Sequence, residues 1–188
     1  MIPRLIIERP MTPDETAAWT TPGEQVRAAT FRNERRRSEY LTWRTLVRRE
    51  LGRDVRIAYN DLGAPILPDG EAFVSVSHCD GRVAVCLSQH PCAIDIEPSG
   101  RDFSRVADRY MTSAERCLST DPLWPGYVWC AKETLYKLAG RSGLDFREDL
   151  HIEAADLAGG RLVGRIGSGM PVTLSSACSD GFLVVSFC

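Results

Sequence analysis

Hydrophobic and polar positions follow two different periods along the chain, and these periods separate strand-like from helical segments. Near the N-terminus, Leu5–Glu8 predicts a strand, and Thr12 followed by Pro13 predicts the start of a helix. A longer helix is predicted from about Phe31 to Leu51, where apolar residues form a partial stripe. Gly52 is a residue that commonly ends a helix. The chain is therefore predicted to begin with a strand followed by helices.

Short β-like runs follow, and the helical period returns after Pro98 before a last series of strands. The first runs are Phe73–Ser77, Arg82–Ser88 and Cys92–Glu97, with Gln89-His90-Pro91 as the turn of a hairpin. Helices are predicted around Phe103–Tyr110, Ser113–Leu118 and Leu123–Leu138, and strands at Leu150–Glu153, Arg161–Ile166, Val172–Ser176 and Phe182–Phe187. Because helices and hairpins are segregated, we predict an α+β fold rather than a parallel βαβ sheet. We divide it into two halves, residues 1–98 and 99–188, which pack as one compact unit and are structural copies of each other.

Composition limits the classes of function. The 188 residues are 44% hydrophobic and 26% charged, which fits a folded globular chain rather than a disordered one. A net charge of -2 gives no overall attraction to nucleic acid or an anionic membrane. We find neither a secretion signal nor a run of about eighteen apolar residues that could span a membrane. Seven cysteines without zinc-site spacing fit reduced, buried thiols. We therefore expect a cytoplasmic protein without nucleic-acid or membrane partners. Because two halves fused in one chain would make a single copy sufficient, we expect a monomer.

The segment Ala93-Ile94-Asp95-Ile96-Glu97 places two carboxylates on one strand. Residues two apart on a strand face the same side, so Asp95 and Glu97 project together while Ile94 and Ile96 face the core. Adjacent carboxylates repel each other unless a cation or protons lie between them, and such oxygen ligands suit magnesium. The alternative is a half-buried edge strand with a solvated acidic face.

A second pattern lies on the last predicted helix. Trp129, Glu133 and Lys137 are spaced four residues apart and share one helical face. Of the 23 basic residues only Lys132 and Lys137 are lysines, and a lysine ammonium can reach a phosphoryl oxygen or donate a proton. The alternative is an ordinary surface ion pair between Glu133 and Lys137.

Two further patterns favour anion binding. Ser77 and His78 end a strand-like run at a turn, where side chains and backbone amides can meet an anion. The long helix carries an arginine run that includes Arg36 and Arg37, with Arg44 further along. Alternatively, the histidine is structural and the arginines form a solvated face.

Together and in this order, these segments resemble the Sfp-type 4'-phosphopantetheinyl transferases. The family pattern combines a Gly-x-Pro turn, a Ser-His-Ser segment, a Gly-Ile-Asp-Ile-Glu strand and a Trp-x-x-Lys-Glu-x-x-x-Lys helix. The corresponding segments here are Gly63-Ala64-Pro65, Ser77-His78-Cys79, Ala93-Ile94-Asp95-Ile96-Glu97 and Trp129-Cys130-Ala131-Lys132-Glu133-Thr134-Leu135-Tyr136-Lys137. Cys79, Ala64 and Ala93 depart from the family pattern, and none of these departures touches the three acidic residues.

The resemblance implies a fold and an activity. It implies the 4'-phosphopantetheinyl transferase fold of two pseudo-symmetric α+β halves, each with a small, mostly antiparallel sheet, and a coenzyme A site in the cleft between them. The implied enzyme moves 4'-phosphopantetheine from coenzyme A to a serine of an acyl or peptidyl carrier protein, releases 3',5'-ADP, and depends on Mg²⁺, with Mn²⁺ as a possible substitute. Two alternatives are a non-catalytic module that binds carrier proteins or coenzyme A, and a magnesium-dependent phosphohydrolase.

The resemblance also implies roles for individual residues. Asp95, Glu97 and Glu133 would bind the metal, with Asp95, Glu133 and Lys137 as the catalytic group and Glu133 as the candidate base. The residues implied to hold the coenzyme are Arg36, Arg37, Arg44, Gly63, Pro65, Ser77, His78, Lys132 and Lys137. Among these, Gly63 and Pro65 would shape the adenine pocket.

Overall fold

The chain divides into two compact units in the computed structural model, which describes residues 2–70 and 72–188. The units are Met1–Pro91 and Cys92–Cys188. Our sequence-based boundary lies later, between residues 98 and 99. The difference concerns one strand, Ala93–Pro98, whose backbone partners belong to the second unit.

The first unit packs helices against a small antiparallel sheet. Its helices are α1 (Pro13–Ala17), α2 (Pro22–Ala29) and α3 (Glu34–Leu51), and its strands are β1 (Arg4–Glu8), β2 (Ala58–Tyr59), β3 (Pro65–Ile66), β4 (Phe73–Cys79) and β5 (Arg82–Ser88). The order β1-β5-β4 forms the main sheet, and β2 pairs with β3. Trp43 and Val47 of α3 share a buried hydrophobic cluster with Val83, Val85 and Leu87 of β5.

The second unit has a larger antiparallel sheet crossed by one long helix. After β6 (Ala93–Pro98) come a 3-10 helix (Ser104–Arg109), α4 (Ser113–Arg116), α5 (Trp124–Ala139), β7 (Leu150–Asp156), β8 (Arg161–Ile166), β9 (Val172–Ser179) and β10 (Phe182–Phe187). The strand order is β6-β10-β9-β8-β7, and all pairs are antiparallel. Leu135 of α5 is buried in one cluster with Leu162, Leu174, Leu183 and Val185 of the sheet.

The two units share a pattern of strand pairing. In each, the first strand pairs with the last, and the last also pairs with the strand before it: β1-β5-β4 in one unit and β6-β10-β9 in the other. In each, the longest helix packs on the sheet. The predicted α+β class with antiparallel sheets and helices is thereby confirmed.

Three local expectations need correction. Residues 89–91 do not close a hairpin, because β5 and β6 belong to different sheets. The helix predicted from Phe31 begins at Glu34, because Asn33 is extended and its side chain accepts a hydrogen bond from the Arg36 backbone N–H. The cysteines are not uniformly buried, since Cys117 and Cys178 are exposed. Among the helices of the described residues, none is both long enough and apolar enough to span a membrane.

Candidate active site

The acidic strand β6 turns its two carboxylates toward the helix-covered side of its sheet. Asp95 lies opposite Val185 and Glu97 opposite Leu183 on β10, and both of these partners belong to the hydrophobic cluster that contains α5. Directly opposite residues of an antiparallel pair share a face, so the carboxylates lie on that side. Ile94 and Ile96 lie on the other face and are buried in the hydrophobic core, as the alternation along the strand predicted.

Helix α5 lies over this face, and its own polar stripe meets the carboxylates. The Lys137 Nζ donates hydrogen bonds to Asp95 Oδ1 at 2.8 Å and to the Ile94 carbonyl oxygen at 2.7 Å. The Trp129 Nε1 donates to Glu97 Oε1 at 3.0 Å. Trp129 and Lys137, which helical spacing places on one face, therefore both contact the acidic side chains of β6.

The helix is placed by its ends and by its apolar face. Pro125 lies in the first turn of α5, where the missing N–H costs no helical hydrogen bond, and Gly140 ends the helix in the left-handed conformation with φ of 59°. Ala131 and Leu135 are fully buried against the sheet. With this face fixed, the Glu133 and Lys137 side of the helix is held next to β6.

Glu133 sits in an environment that disfavours its negative charge. Burial raises the pKa of Glu133 above that of an ordinary glutamate, the charge of Asp95 raises it further, Lys137 opposes this effect, and Glu97 adds to it. The carboxylates of β6 therefore lie near enough to disfavour the negative charge of Glu133 on α5. A cation placed among them would relieve that repulsion.

The donor chemistry fits a hard divalent cation such as Mg²⁺, since all three side chains offer carboxylate oxygens. Within residues 2–70 and 72–188, however, no three His, Cys, Asp or Glu side chains already form a metal-binding group. Instead, the Lys137 ammonium contacts Asp95, and the Arg101 guanidinium contacts Glu97 Oε1 at 2.7 Å. Two cations of the protein thus occupy carboxylate oxygens that a metal would use.

Lys132 lies apart from these residues, although it neighbours Glu133 in sequence. Its side chain is fully buried, and its Nζ contacts Glu115 Oε1 at 2.7 Å and donates to the carbonyl oxygens of Tyr110 and Phe146. Burial lowers the pKa of Lys132, while the Glu115 carboxylate opposes that shift. Glu115 also accepts from the Ile152 backbone N–H at 2.9 Å. Lys132 is thus bonded within the protein, and sequence analysis missed Glu115 as its partner.

In the first unit, His78 belongs to a small network of charged side chains. Its Nδ1 lies 3.2 Å from Glu39 Oε2, and its Nε2 contacts the Arg36 guanidinium. Glu39 is buried and also accepts from Arg35 Nε at 2.7 Å. Ser77, the preceding residue on β4, is buried. Of the predicted coenzyme contacts in this unit, the structure therefore brings Arg36 and His78 together around Glu39, which sequence analysis did not select.

The other two selected arginines lie elsewhere on α3. Arg44 is buried, and its guanidinium stacks on the Tyr40 ring and donates to the Tyr59 hydroxyl at 2.7 Å. The Arg37 Nε donates to the Phe31 carbonyl oxygen at 2.6 Å. Both side chains thus bond to protein groups, and the sequence gives no signal that separates them from Arg36.

Gly63 and Pro65 shape a turn beside a cavity. The positive φ of Gly63, 77°, suits glycine in the turn between β2 and β3, and the Gly63 N–H donates to the Asn60 carbonyl oxygen. Pro65 is in β3 and lines a cavity of about 460 Å³ together with Ile66, Phe73 and Val74. Our prediction of an adenine pocket falls on this region and stays a prediction.

A family comparison covers the part of the chain that contains the acidic strand and α5. Residues 91–177 match the sequence model of one known family. That family is the 4'-phosphopantetheinyl transferase superfamily. A search of curated proteins finds no significant match. The superfamily match takes in Asp95, Glu97, Glu133 and Lys137, and it begins at the boundary between the two units.

The match covers a little under half of the chain and describes the superfamily as a whole. It supports the superfamily level of the resemblance, and with it a transferase of the phosphopantetheinyl kind.

Proposed function

We propose that this protein transfers 4'-phosphopantetheine from coenzyme A to a serine hydroxyl of an acyl or peptidyl carrier protein, in the manner of the Sfp-type group. One observation carries the proposal: Asp95, Glu97, Glu133 and Lys137 act on each other at one place, and all four lie inside the segment that matches the transferase superfamily. A serine oxygen bonds to the β-phosphorus of coenzyme A, the bond from that phosphorus to 3',5'-ADP breaks, and the serine proton leaves.

The carboxylates would hold the divalent cation. Asp95, Glu97 and Glu133 supply oxygen ligands, and Mg²⁺ or Mn²⁺, when bound, would neutralise charge on the diphosphate. The Lys137 ammonium, about a quarter exposed, already lies beside Asp95 and supplies positive charge for the leaving phosphate. Glu133 is our candidate for accepting the serine proton, directly or through water.

Further coenzyme contacts are proposed in the first unit. The Arg36 guanidinium offers N–H donors for a phosphate, whereas His78 would have to release Glu39 or Arg36 before a ring nitrogen could contact one. The cavity beside Pro65 offers apolar walls for an adenine ring. Ser77 and Gly63 remain proposed contacts from the family resemblance. For Arg37, Arg44 and Lys132 the role would require that their present bonds to protein groups break.

Intact-mass measurement of carrier proteins tests the proposed reaction. We expect an apo carrier protein to gain the mass of one phosphopantetheinyl group when incubated with the enzyme, coenzyme A and Mg²⁺. EDTA should abolish the gain, and added Mg²⁺ or Mn²⁺ should restore it. If acyl, polyketide-type and peptidyl carrier proteins all keep their mass under these conditions, the proposal is wrong. Breakdown of coenzyme A without a carrier protein would indicate a hydrolase instead.

Variants of α5 test the site within the same assay. Glu133→Gln and Lys137→Ala should each reduce turnover by roughly 100- to 1000-fold while the protein remains folded. The first removes a proposed metal ligand and proton acceptor, and the second removes the positive charge beside the leaving phosphate. Glu148→Gln, at an exposed glutamate of the same unit, is the matched control and should transfer at the wild-type rate. Near-wild-type rates for both α5 variants would show that the site is misassigned.

A further inference from the structure

Arg101 is a charged residue of the candidate site that the sequence patterns did not single out. Its NH1 donates to Glu97 Oε1 at 2.7 Å, and the same oxygen accepts the Trp129 Nε1 hydrogen bond at 3.0 Å. The Glu97 side chain is 16% exposed and the Arg101 side chain 46% exposed. Arg101 therefore covers the solvent side of a carboxylate that the proposed function assigns to the metal.

The guanidinium is held in place by more than this ion pair. It lies 4.8 Å from the centre of the Phe103 ring and 5.6 Å from that of Trp129, within the range of cation–π attraction. The Arg101 backbone N–H donates to the Pro98 carbonyl oxygen, and the Phe103 N–H donates to the Arg101 carbonyl oxygen. The turn after β6 thus fixes the backbone of Arg101, and two aromatic rings guide its side chain toward Glu97.

This placement sets the arginine in competition with a divalent cation. Both hydrogen bonds to Glu97 Oε1 use the lone pairs of one carboxylate oxygen. A metal ion at Glu97 would either displace Arg101 from that oxygen or lie beside a positive guanidinium. Lys137 stands in the same relation to Asp95.

The net charge of the site indicates under which condition Arg101 and the metal ion no longer compete for Glu97. When all three carboxyls are ionised, their charges exceed those of Lys137 and Arg101 by one negative charge. A divalent cation alone would make the site positive, whereas a cation together with a diphosphate would restore negative charge for the displaced guanidinium to contact. The arrangement therefore disfavours the metal alone and favours the metal together with a diphosphate.

We propose that Arg101 is a positioning residue, a built-in counter-ion of Glu97 that weakens divalent-cation binding until a diphosphate binds and then turns to that anion. The inference rests on the proposed function, since it takes Glu97 as a metal ligand. The inference adds Arg101 to the residues of the proposed site and links the binding of two ligands. Coenzyme A tightens metal binding because its diphosphate relieves the repulsion between the cation and Arg101.

Titration of the full chain with Mn²⁺, followed by electron paramagnetic resonance of free Mn²⁺, tests the inference without any carrier protein. Without coenzyme A, Arg101→Gln should bind Mn²⁺ about two- to five-fold more tightly than wild type, the range expected when one half-exposed ion pair is lost. With coenzyme A present, the factor by which the coenzyme tightens Mn²⁺ binding should be smaller in Arg101→Gln than in wild type.

Two further variants separate local contact from general charge. Arg105→Gln removes the same charge from an arginine that is 82% exposed and pairs with Asp102, and it should leave Mn²⁺ affinity unchanged. Arg101→Lys keeps the charge and should stay close to wild type. Circular dichroism melting of each variant checks that the fold is retained.

The outcomes distinguish a failure of the role of Arg101 from a failure of the proposed function. Unchanged or weaker Mn²⁺ binding by Arg101→Gln overturns the role of Arg101, and so does an equal gain in Arg105→Gln or Arg101→Lys. In those cases metal binding by the wild type leaves the proposed function standing. If wild-type protein binds no Mn²⁺ with or without coenzyme A, the metal site fails, and both proposals fail with it.

Discussion

The buried pair of Lys132 and Glu115 gives the sharpest test of the division between structural and catalytic residues. Lys132 is fully buried and Glu115 is 2% exposed. Replacing Lys132 with methionine retains most of its volume but leaves the Glu115 carboxylate buried without its cation. It also leaves the carbonyl oxygens of Tyr110 and Phe146 without the hydrogen bonds that the ammonium donates.

The expected cost is large compared with the stability of a domain. Breaking a buried ion pair by removing one partner typically costs about 3–5 kcal/mol. Domains of this kind are stable by about 5–15 kcal/mol, so Lys132→Met should lose a substantial fraction of its stability. With an m-value of about 1–3 kcal/mol per molar urea, the unfolding midpoint should fall by at least about 1 M.

Urea unfolding of the full chain, followed by tryptophan fluorescence and circular dichroism, measures this loss. Lys137→Met is the matched control, because Lys137 is the chain's other lysine and its side chain is 28% exposed. It should shift the midpoint much less and lose transfer activity. Glu115→Gln combined with Lys132→Met should recover part of the loss, with a coupling of about 0.5–3 kcal/mol, because the uncompensated charge is gone.

One result would refute this reasoning. If Lys132→Met keeps the wild-type midpoint and instead raises the KM for coenzyme A, Lys132 contacts the substrate, as the family resemblance first implied. A lower midpoint with an unchanged KM among the molecules that remain folded supports the structural role.

Three further expectations concern the packing and pH dependence of the fold. Burial raises the pKa of Glu24, but hydrogen bonds from Arg48 and the backbone outweigh burial and bring the pKa below its usual 4.5. The ionised Glu24 therefore stabilises the fold fully above pH 4.5, and this stabilisation is lost as pH falls through the lower folded pKa. Glu24→Gln should therefore cost about 1–3 kcal/mol in urea unfolding at pH 7, and the difference from wild type should shrink in acid. A constant difference down to pH 2 would contradict this. Gly126→Ala should cost about 1–3 kcal/mol, because the new Cβ would meet Leu183 Cδ1 at 2.5 Å. Gly23→Ala, with open space around the new Cβ, should be nearly neutral, and equal melting temperatures for the two alanine variants would show that the overlap relaxes at little cost.

Local sequence signals were sufficient for most helices and strands. The span from Leu123 to Leu138 predicted α5 to within a residue of its observed ends, Trp124 and Ala139, because helical periodicity is a local signal. The error at residues 89–91 has the opposite cause. The partner of β6 is β10, far along the chain, and no turn residue between β5 and β6 records that long-range pairing.

The candidate site was predictable where one element sets the geometry. Strand alternation placed Asp95 and Glu97 on one side, and helical spacing placed Glu133 and Lys137 on one face. Which face of β6 meets the helix depends on the pairing of β6 with β10, and the residues of β6 alone do not record that pairing.

The two lysines, Lys132 and Lys137, are alike in their rarity but differ in their positions. Their rarity in an arginine-rich chain suggested one shared role at a phosphate, yet successive side chains on a helix diverge by about 100°. Lys132 is one residue before Glu133 and five before Lys137, so it points into the protein while they point toward β6. Both positions suit an ammonium: Lys132 donates to the Glu115 carboxylate and two carbonyl oxygens, and Lys137 donates to Asp95 at the site. The shared feature is a compact cation beside a buried carboxylate, and only the position of that carboxylate separates the role in folding from the role proposed in catalysis.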